Sequence, residues 1–596
     1  MKPTWHIRSQ QIRMLMLLLS LFFASAFAAG SPEQTFQELA DEFFDDYLFP
    51  HNPSFATQQG IHKFDDRLKD YSKAGVNQNI QLLKQFERRV DAINPLVLSE
   101  QLQGDRDLIL NYCRSELLTL EVIRPWEKNP SYYLGGMVRG AFVIMKRSFA
   151  PVNLRLKVFI EREKLMPAVL EAARSNLVNP PKVYTEVALE QLPGIINFFK
   201  NKVPEAFLDA DDPELKQALE KSNANVISAL REYQFWIKNT LLAQSQGDFR
   251  LGSDVFKQKL LYDEMVNTPL NELLGMGYLD LAKNQAAYQR LLAELEVEVD
   301  ANYLQSDQLL TAFSSSFDGL IDFIHSKKII TIPSAVRPTM QETPSFIRAT
   351  SSASMDTPGP FENNASEAYV NVTLPKANWT EAKIMRFMRN MNNPSIINTA
   401  IHEAYPGHYV HFLWMHHIND RVRQILGSKT NSEGWAHYCE QMMLDEGYGG
   451  PSNSHEAKIL RLGQLKKALL RNARFIVSIK MHTENMSMDD AVNFFVKEGY
   501  QSKTTAKREV KRGASDPTYL YYTLGKLQIL QLRAELQEKQ GDAFSLQQFH
   551  DDFMRQGRPP IDIVRRAMLG AKQITLKSLD GVGLAALHHV LERDVQ

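Results

Sequence analysis

The chain has 596 residues, 44% hydrophobic and 23% charged, a composition that sustains a large folded core and excludes a disordered chain. With 68 Lys and Arg against 69 Asp and Glu, no basic excess exists to neutralise phosphates, and nucleic acid is excluded as an expected partner. Two cysteines, Cys113 and Cys439, allow at most one disulfide and no cysteine-rich zinc site, so any metal must rest on His and carboxylate.

The first segment reads as an address. Lys2, Arg8 and Arg13 stand without an acid, Met14 to Phe23 runs MLMLLLSLFF, and Ala26-Phe27-Ala28 closes the stretch in an A-x-A pattern. That is the layout of a secretory signal peptide, residues 1–28, cut after Ala28. The apolar run is shorter than the roughly 18 residues of a membrane span, and no later stretch is long and apolar enough to cross a bilayer. No cysteine stands at the cut, which argues against a lipid anchor. The expected product is an exported chain whose formal charge moves from -1 to -4 as the three cations leave.

Residues 29–325 read as a helical array. Phe36, Leu39, Phe43, Phe44 and Leu48 recur on one face, as do Ile109, Leu110, Cys113, Leu117 and Leu120. Asn129-Pro130, Asn179-Pro180-Pro181 and Thr268-Pro269 punctuate the helices, and Gly135-Gly136 predicts a tight passage. The texture changes at residue 326. Ile329 to Pro333 and Ala368 to Leu374 are β-branched and aromatic, which predicts two short strands, the second an exposed edge. Helical periodicity returns from Trp379 to the end, with residues 447–454 as the clearest loop. The expected fold is mainly α and two-lobed, with a small sheet beside the helix that carries the chemistry, and residues 29–325 and 326–596 form one functional unit.

The chemistry-bearing stretch is His402-Glu403-Ala404-Tyr405-Pro406-Gly407-His408. In an ordinary H-E-x-x-H helix the histidines lie one turn apart on one face, with the Glu placed to activate a metal-bound water. Here the spacing is six, and six steps of about 100° rotate the second His roughly 240° from the first. A regular helix cannot chelate with this pair. Pro406-Gly407 supplies the expected remedy, a kink or bulge that returns His408 toward the metal. Downstream, Ser432-Glu433-Gly434-Trp435-Ala436-His437-Tyr438-Cys439-Glu440 offers Glu433 as a third ligand, 25 residues after His408. His437 follows one turn later on the same face, where it can support a water, orient a ligand or stabilise an oxyanion, and Glu440 can brace the histidines.

These segments resemble the bacterial proteins grouped under domain of unknown function 885, whose members look like zinc peptidases with an H-E-A-x-P-G-H motif. His402 to His408 matches that motif without a gap, Ser432 to Tyr438 matches the downstream segment, and Pro358-Gly359-Pro360-Phe361 through Tyr369-Val370-Asn371 resembles the strand before the metal helix. The chain departs from the pattern at Tyr409, where family members often carry a further His. The resemblance also implies a P…Y-x-x-G region, matched by Pro517 and Tyr522-Thr523-Leu524-Gly525. Tyr519, Tyr521 and Tyr522 are all candidates for a phenol that stabilises a tetrahedral intermediate.

The expected function is an exported zinc peptidase of the periplasm or extracellular space, with one Zn²⁺ on His402, His408 and Glu433, Glu403 as general base, His437 and Tyr522 assisting, and a peptide as substrate. Strand Ala368 to Leu374 is the expected partner for an extended peptide, and Arg386, Arg389, Arg508 and Arg512 are candidates to hold its carboxylate. The alternatives are an exported helical binding protein with a structural or lost metal, and a metal-dependent amidase or esterase acting on cell-envelope material. The signal peptide is directly testable: intact-mass analysis of the exported chain should show a product beginning at Ala29, and retention of Met1 would refute the assignment.

Overall fold

The structure is a computed structural model that describes residues 31–295, 304–348, 351–376 and 378–570. The expected signal peptide and its cleavage site lie outside the described residues. The fold is mainly α, and among the described residues no helix is long and apolar enough to cross a membrane.

The helices that matter here are α1 (Pro53–Gln59), α2 (Glu100–Leu117), α3 (Ser131–Lys146), α4 (Val152–Asn176), α5 (Pro213–Trp236), α6 (Leu270–Glu294) and α7 (Leu309–Ser326). After a small sheet come α8 (Asn393–Glu403), α9 (His408–Met415), α10 (Lys429–Asp445), α11 (His455–Thr483), α12 (Lys503–Ser515), α13 (Tyr521–Gln540), α14 (Leu546–Arg555) and α15 (Ile561–Leu569). The proline signals mark helix starts: α3 opens just after Pro130, the helix Lys182–Asn197 just after Pro181, and α6 just after Pro269. Both apolar stripes read from the first half are buried. Gly135-Gly136 makes no tight passage and lies inside α3. Gly136 is small for a packing reason, because a Cβ there would run into the Tyr71 hydroxyl. Cys113 and Cys439 are both buried, free thiols.

The sheet corrects two expectations. Its strands are β1 (Thr339–Glu342), β2 (Ala353–Asp356) and β3 (Tyr369–Val372), in the order β1-β3-β2, with β3 parallel to β1 and antiparallel to β2. The predicted edge strand is therefore the central one, and Val370, Asn371 and Val372 are buried. Residues 329–333 join no sheet. Ile329 and Ile330 bury their side chains in the core, while Asp551 takes the Thr331 N–H at 2.9 Å, so a side chain satisfies the backbone where a ladder was expected.

One hydrophobic core gathers α7, the sheet, α8, α9, α10, α13 and α14 around Trp435 and Tyr405. A second packs α3, α4 and α5 together, and a third joins α2 and its neighbours to Val422, Ile425 and Ile563 of the second half. The ligand-bearing region is thus buttressed from both halves of the chain. Its closest packing is between α10 and α13, where Gly434 faces Gly525: a Cβ on Gly434 would lie 2.5 Å from the Gly525 Cα, and one on Gly525 would collide with the Thr430 carbonyl oxygen. Backbone on both sides leaves nothing that can yield. Gly525→Ala should therefore push the helices apart and cost about 1–3 kcal/mol in denaturant unfolding. Gly135→Ala, with open space at its Cβ, should be neutral or stabilising by about 0.5–1 kcal/mol.

Candidate metal centre

The His-Glu pair and the second His sit on two helices, where a single kinked one was expected. α8 is capped by Asn392, whose side chain accepts from the Ser395 N–H, and it ends at Glu403. The helix breaks through Ala404 to Gly407, with a cis Tyr405-Pro406 bond, and the chain restarts as α9 at His408. Gly407 donates to the Ile401 carbonyl at 2.9 Å, and a Cβ at this position would strike the His402 and Ile401 carbonyl oxygens, so only glycine fits. Trp435 of α10 donates its indole N–H to the Pro406 carbonyl at 2.9 Å, which ties the break to the helix that carries Glu433.

The break brings the rings together. The His402 and His408 centroids are 4.9 Å apart at 84°, and Glu433 Oε2 lies 3.5 Å from His402 Nε2 and 3.4 Å from His408 Nε2. Their ligand atoms all fall within 4.8 Å of one another, and among the described residues this is the group of three able to hold a metal ion. The Glu433 Oε2 atom is buried with no hydrogen bond.

Behind the group sits Glu440, wholly buried. It receives His402 Nδ1 at 2.7 Å, the Asn398 amide at 3.2 Å and the Arg471 guanidinium at 2.6 Å. Burial disfavours the Glu440 charge, but Arg471 and the hydrogen bond from His402 outweigh it and hold the carboxyl well below its ordinary range. The same balance acts on the side that faces Glu433. Burial disfavours a charged His402, yet the neighbouring carboxylates of Glu433 and Glu440 raise it to about 9. Glu433 is held well below the carboxylate range against its burial, chiefly by the charge of His408.

His437 is placed differently from the other predicted residues. It is fully buried, lies 3.7 Å from Glu440 Oε2, and has no hydrogen bond on either ring nitrogen. Burial and the nearby Arg471 charge lower it to about 3, so it is a neutral imidazole, and it stands outside the ligand group. Glu403 is buried at the end of α8, beside His402. Among the tyrosines, Tyr522 is the one most strongly coupled to Glu433: burial and then that carboxylate raise its phenol, while Arg512 and Arg474 pull it back. Its hydroxyl accepts from Arg512 at 3.0 Å. Tyr521 donates to Asp516 at 2.8 Å, and Tyr519 points to the Glu509 carbonyl.

Sequence reasoning missed the cationic stripe of α11. Lys467, Arg471 and Arg474 recur at helical spacing; Arg471 and Arg474 lie over the Tyr522 ring, with guanidinium centres 5.5 Å and 4.8 Å from its centroid. Lys467 is lowered to about 8 by burial, with Glu440 and Glu403 pulling it back up. The i, i+4, i+7 pattern was a legible signal, but exposed cationic faces look the same in sequence. Of the four arginines proposed for a carboxylate, Arg386, Arg389 and Arg508 are exposed, and Arg512 is engaged by Asp516 at 3.2 Å.

The chain belongs to the family described as bacterial protein of unknown function DUF885, which matches residues 53–568. No curated protein matches the sequence. Two solved structures are similar to it. One, from Shewanella oneidensis and provisionally named a lipoprotein of unknown function, is 24% identical with a TM-score of 0.73, covering 91% of this chain and 100% of that one. The other, from Colwellia psychrerythraea and provisionally named a lipoprotein, is 17% identical with a TM-score of 0.74, covering 91% and 99%. They show the same fold.

The Glu440 and Arg471 pair generates a stability test. Glu440→Ala strands a buried guanidinium and should cost about 3–5 kcal/mol in chemical denaturation, whereas the double variant Glu440→Ala, Arg471→Met should recover a large part of that loss. Equal stabilities for the single and double variants would deny the coupling.

Proposed function

We propose that this chain is an exported zinc-dependent peptidase, and the observation that carries the reading is the buried Glu433 oxygen, without a hydrogen bond, facing two imidazole nitrogens. Ligands placed about 2.0–2.1 Å from a tetrahedral zinc ion lie roughly 3.3–3.4 Å from one another. The 3.4 and 3.5 Å separations fit that spacing, and a cation would satisfy the orphaned oxygen. Glu440 on His402 Nδ1 is the carboxylate-histidine arrangement that fixes a ligand's tautomer and orientation. Three protein ligands leave a position for water. A closed structural site would need His437 as a fourth ligand, and that residue stands outside the group whose ligand atoms converge.

A zinc ion held there would supply a Lewis acid that acidifies a water and polarises a carbonyl. The remaining work falls to the chain. The Glu403 carboxylate, with the Lys467 cation near it, takes the proton from the attacking water and returns it to the departing amine nitrogen. The Tyr522 hydroxyl, positioned by Arg512, donates its hydrogen to the oxyanion. The pairing edge for an extended peptide moves from β3 to β2, an outer strand beside α8 whose far edge has no backbone partner among the described residues. Export is supported by the signal pattern and by the lipoprotein names of the two similar structures.

Elemental analysis should find roughly one zinc per chain, largely lost in His402→Ala, His408→Ala and Glu433→Ala. Glu403→Gln should keep the zinc while peptide hydrolysis falls by about 10²-fold or more. A zinc-loaded Glu403→Gln protein that cleaves peptides at the wild-type rate would remove the general base, and loss of zinc in that variant would make Glu403 a ligand.

A further inference from the structure

The first half of the chain meets the sheet, α9 and Arg558 around a cleft of about 450 Å³. Its walls come from the end of α1, from α3, from β2 and the loop to Pro360, and from α9. Phe412 of α9 connects it to the ligand group, because the ring lines the cleft and also stacks on His408 with centroids 6.0 Å apart.

The acids of this wall are already engaged. Asp356 takes Lys146 at 2.9 Å and also Arg147, and Glu362 takes His62 Nε2 at 2.8 Å. Among the described residues, two guanidinium groups of the lining have no carboxylate partner. Arg139 is exposed on α3 and makes no ion pair among the described residues. Arg558 has a 3.5 Å contact to the Gln424 carbonyl, its Nε is buried without a partner, and its guanidinium centre lies 5.5 Å from the centroid of the Phe412 ring. Burial lowers Arg558 to about 10 and no carboxylate raises it back, which leaves it charged at neutral pH.

Its position is fixed from both sides of the site. Ser428, the N-cap of α10, donates its N–H to the Arg558 carbonyl at 2.8 Å, and the Asn431 amide donates to the Pro559 carbonyl at 2.8 Å. His411 of α9 faces the Gly557 carbonyl at 3.5 Å. A cation built into a partly dry wall without a counter-ion is costly, and a planar guanidinium is matched by a carboxylate in bidentate geometry.

We infer that this cleft binds a carboxylate of the peptide substrate, with Arg558 as its anchor and Arg139 as a second cation, an assignment that rests on the peptidase reading. An extended peptide advances about 3.5 Å per residue, so a path from His408 across Phe412 to Arg558 covers at most about three residues. The carboxylate therefore belongs to a residue within about three positions of the bond cleaved. A free C-terminus and an Asp or Glu side chain share this chemistry.

Titration calorimetry on the zinc-loaded Glu403→Gln protein separates these sources, with three probes: N-acetyl-Ala-Ala-Ala, its C-terminal amide, and the amide of N-acetyl-Ala-Ala-Glu. At least one carboxylate-bearing probe should bind about tenfold or more tightly than the plain amide. Preference for the free acid alone assigns the terminus, and equal preference for the Glu-containing amide assigns the side chain. Arg558→Ala in the same background should erase the preference and Arg558→Lys should keep part of it. The exposed Arg139→Ala, which carries no folding risk, should weaken it about threefold. Three probes that bind alike or not at all, or a preference that survives both alanine variants, would overturn the assignment. The peptidase reading fails separately: Arg558-dependent binding of the acid by a zinc-loaded wild type that hydrolyses no peptide would leave the carboxylate site and remove the peptidase.

Discussion

Glu440 holds a negative charge where there is no water, and the site is built around the groups that make this tolerable. Its two oxygens are shared among a histidine, an amide and a guanidinium contributed by α8 and α11, while Glu440 itself belongs to α10. A buried carboxylate with that many donors cannot move without stranding at least one of them. Three helices are thereby fixed against one another at a single point, and the ring of His402 is fixed with them. The nitrogen that faces Glu433 has its direction set by the nitrogen that faces Glu440.

Two backbone constraints bring the other ligands to that point. Between α8 and α9, Gly407 closes the helix break at a place where any side chain would strike carbonyl oxygens, and across that break His408 comes to face His402. Between α10 and α13, the Gly434 and Gly525 contact draws the helices close enough for Tyr522 and the arginines around it to act on Glu433. The glycines add no chemistry of their own. They permit an approach of backbone to backbone that no larger residue allows, and the polar groups then meet across a short gap.

Charge is distributed unevenly around the proposed reaction centre. On one side, Lys467, Arg471 and Arg474 are balanced by Glu440, Glu403 and Glu509, so the site is locally close to neutral despite its density of ions. Beyond Phe412 the balance fails, because Asp356 and Glu362 are paired and Arg139 and Arg558 are not. On the proposed reading, a peptide that spans both would pass from a compensated field into an electropositive wall. That asymmetry gives the cleft a direction.

Periodicity, proline punctuation and residue spacing are local properties of the chain, and they were enough to read the helical class, the breaks at Pro130, Pro181 and Pro269, and the candidates His402, His408 and Glu433, which the fold brings together. Spacing also made Pro406-Gly407 meaningful, since two histidines six residues apart cannot converge on a regular helix. Strand order was not local: β3 alternates like an edge strand, and the pairing of β1 and β2 on either side of it made it central. His437 shared a helix face with Glu433, yet tertiary structure leaves it fully buried beside Glu440 and outside the group formed by His402, His408 and Glu433. The unpaired state of Arg558 was the least legible feature, since a guanidinium lacks a counter-ion only with respect to residues hundreds of positions away, and long-range packing is what places those around it.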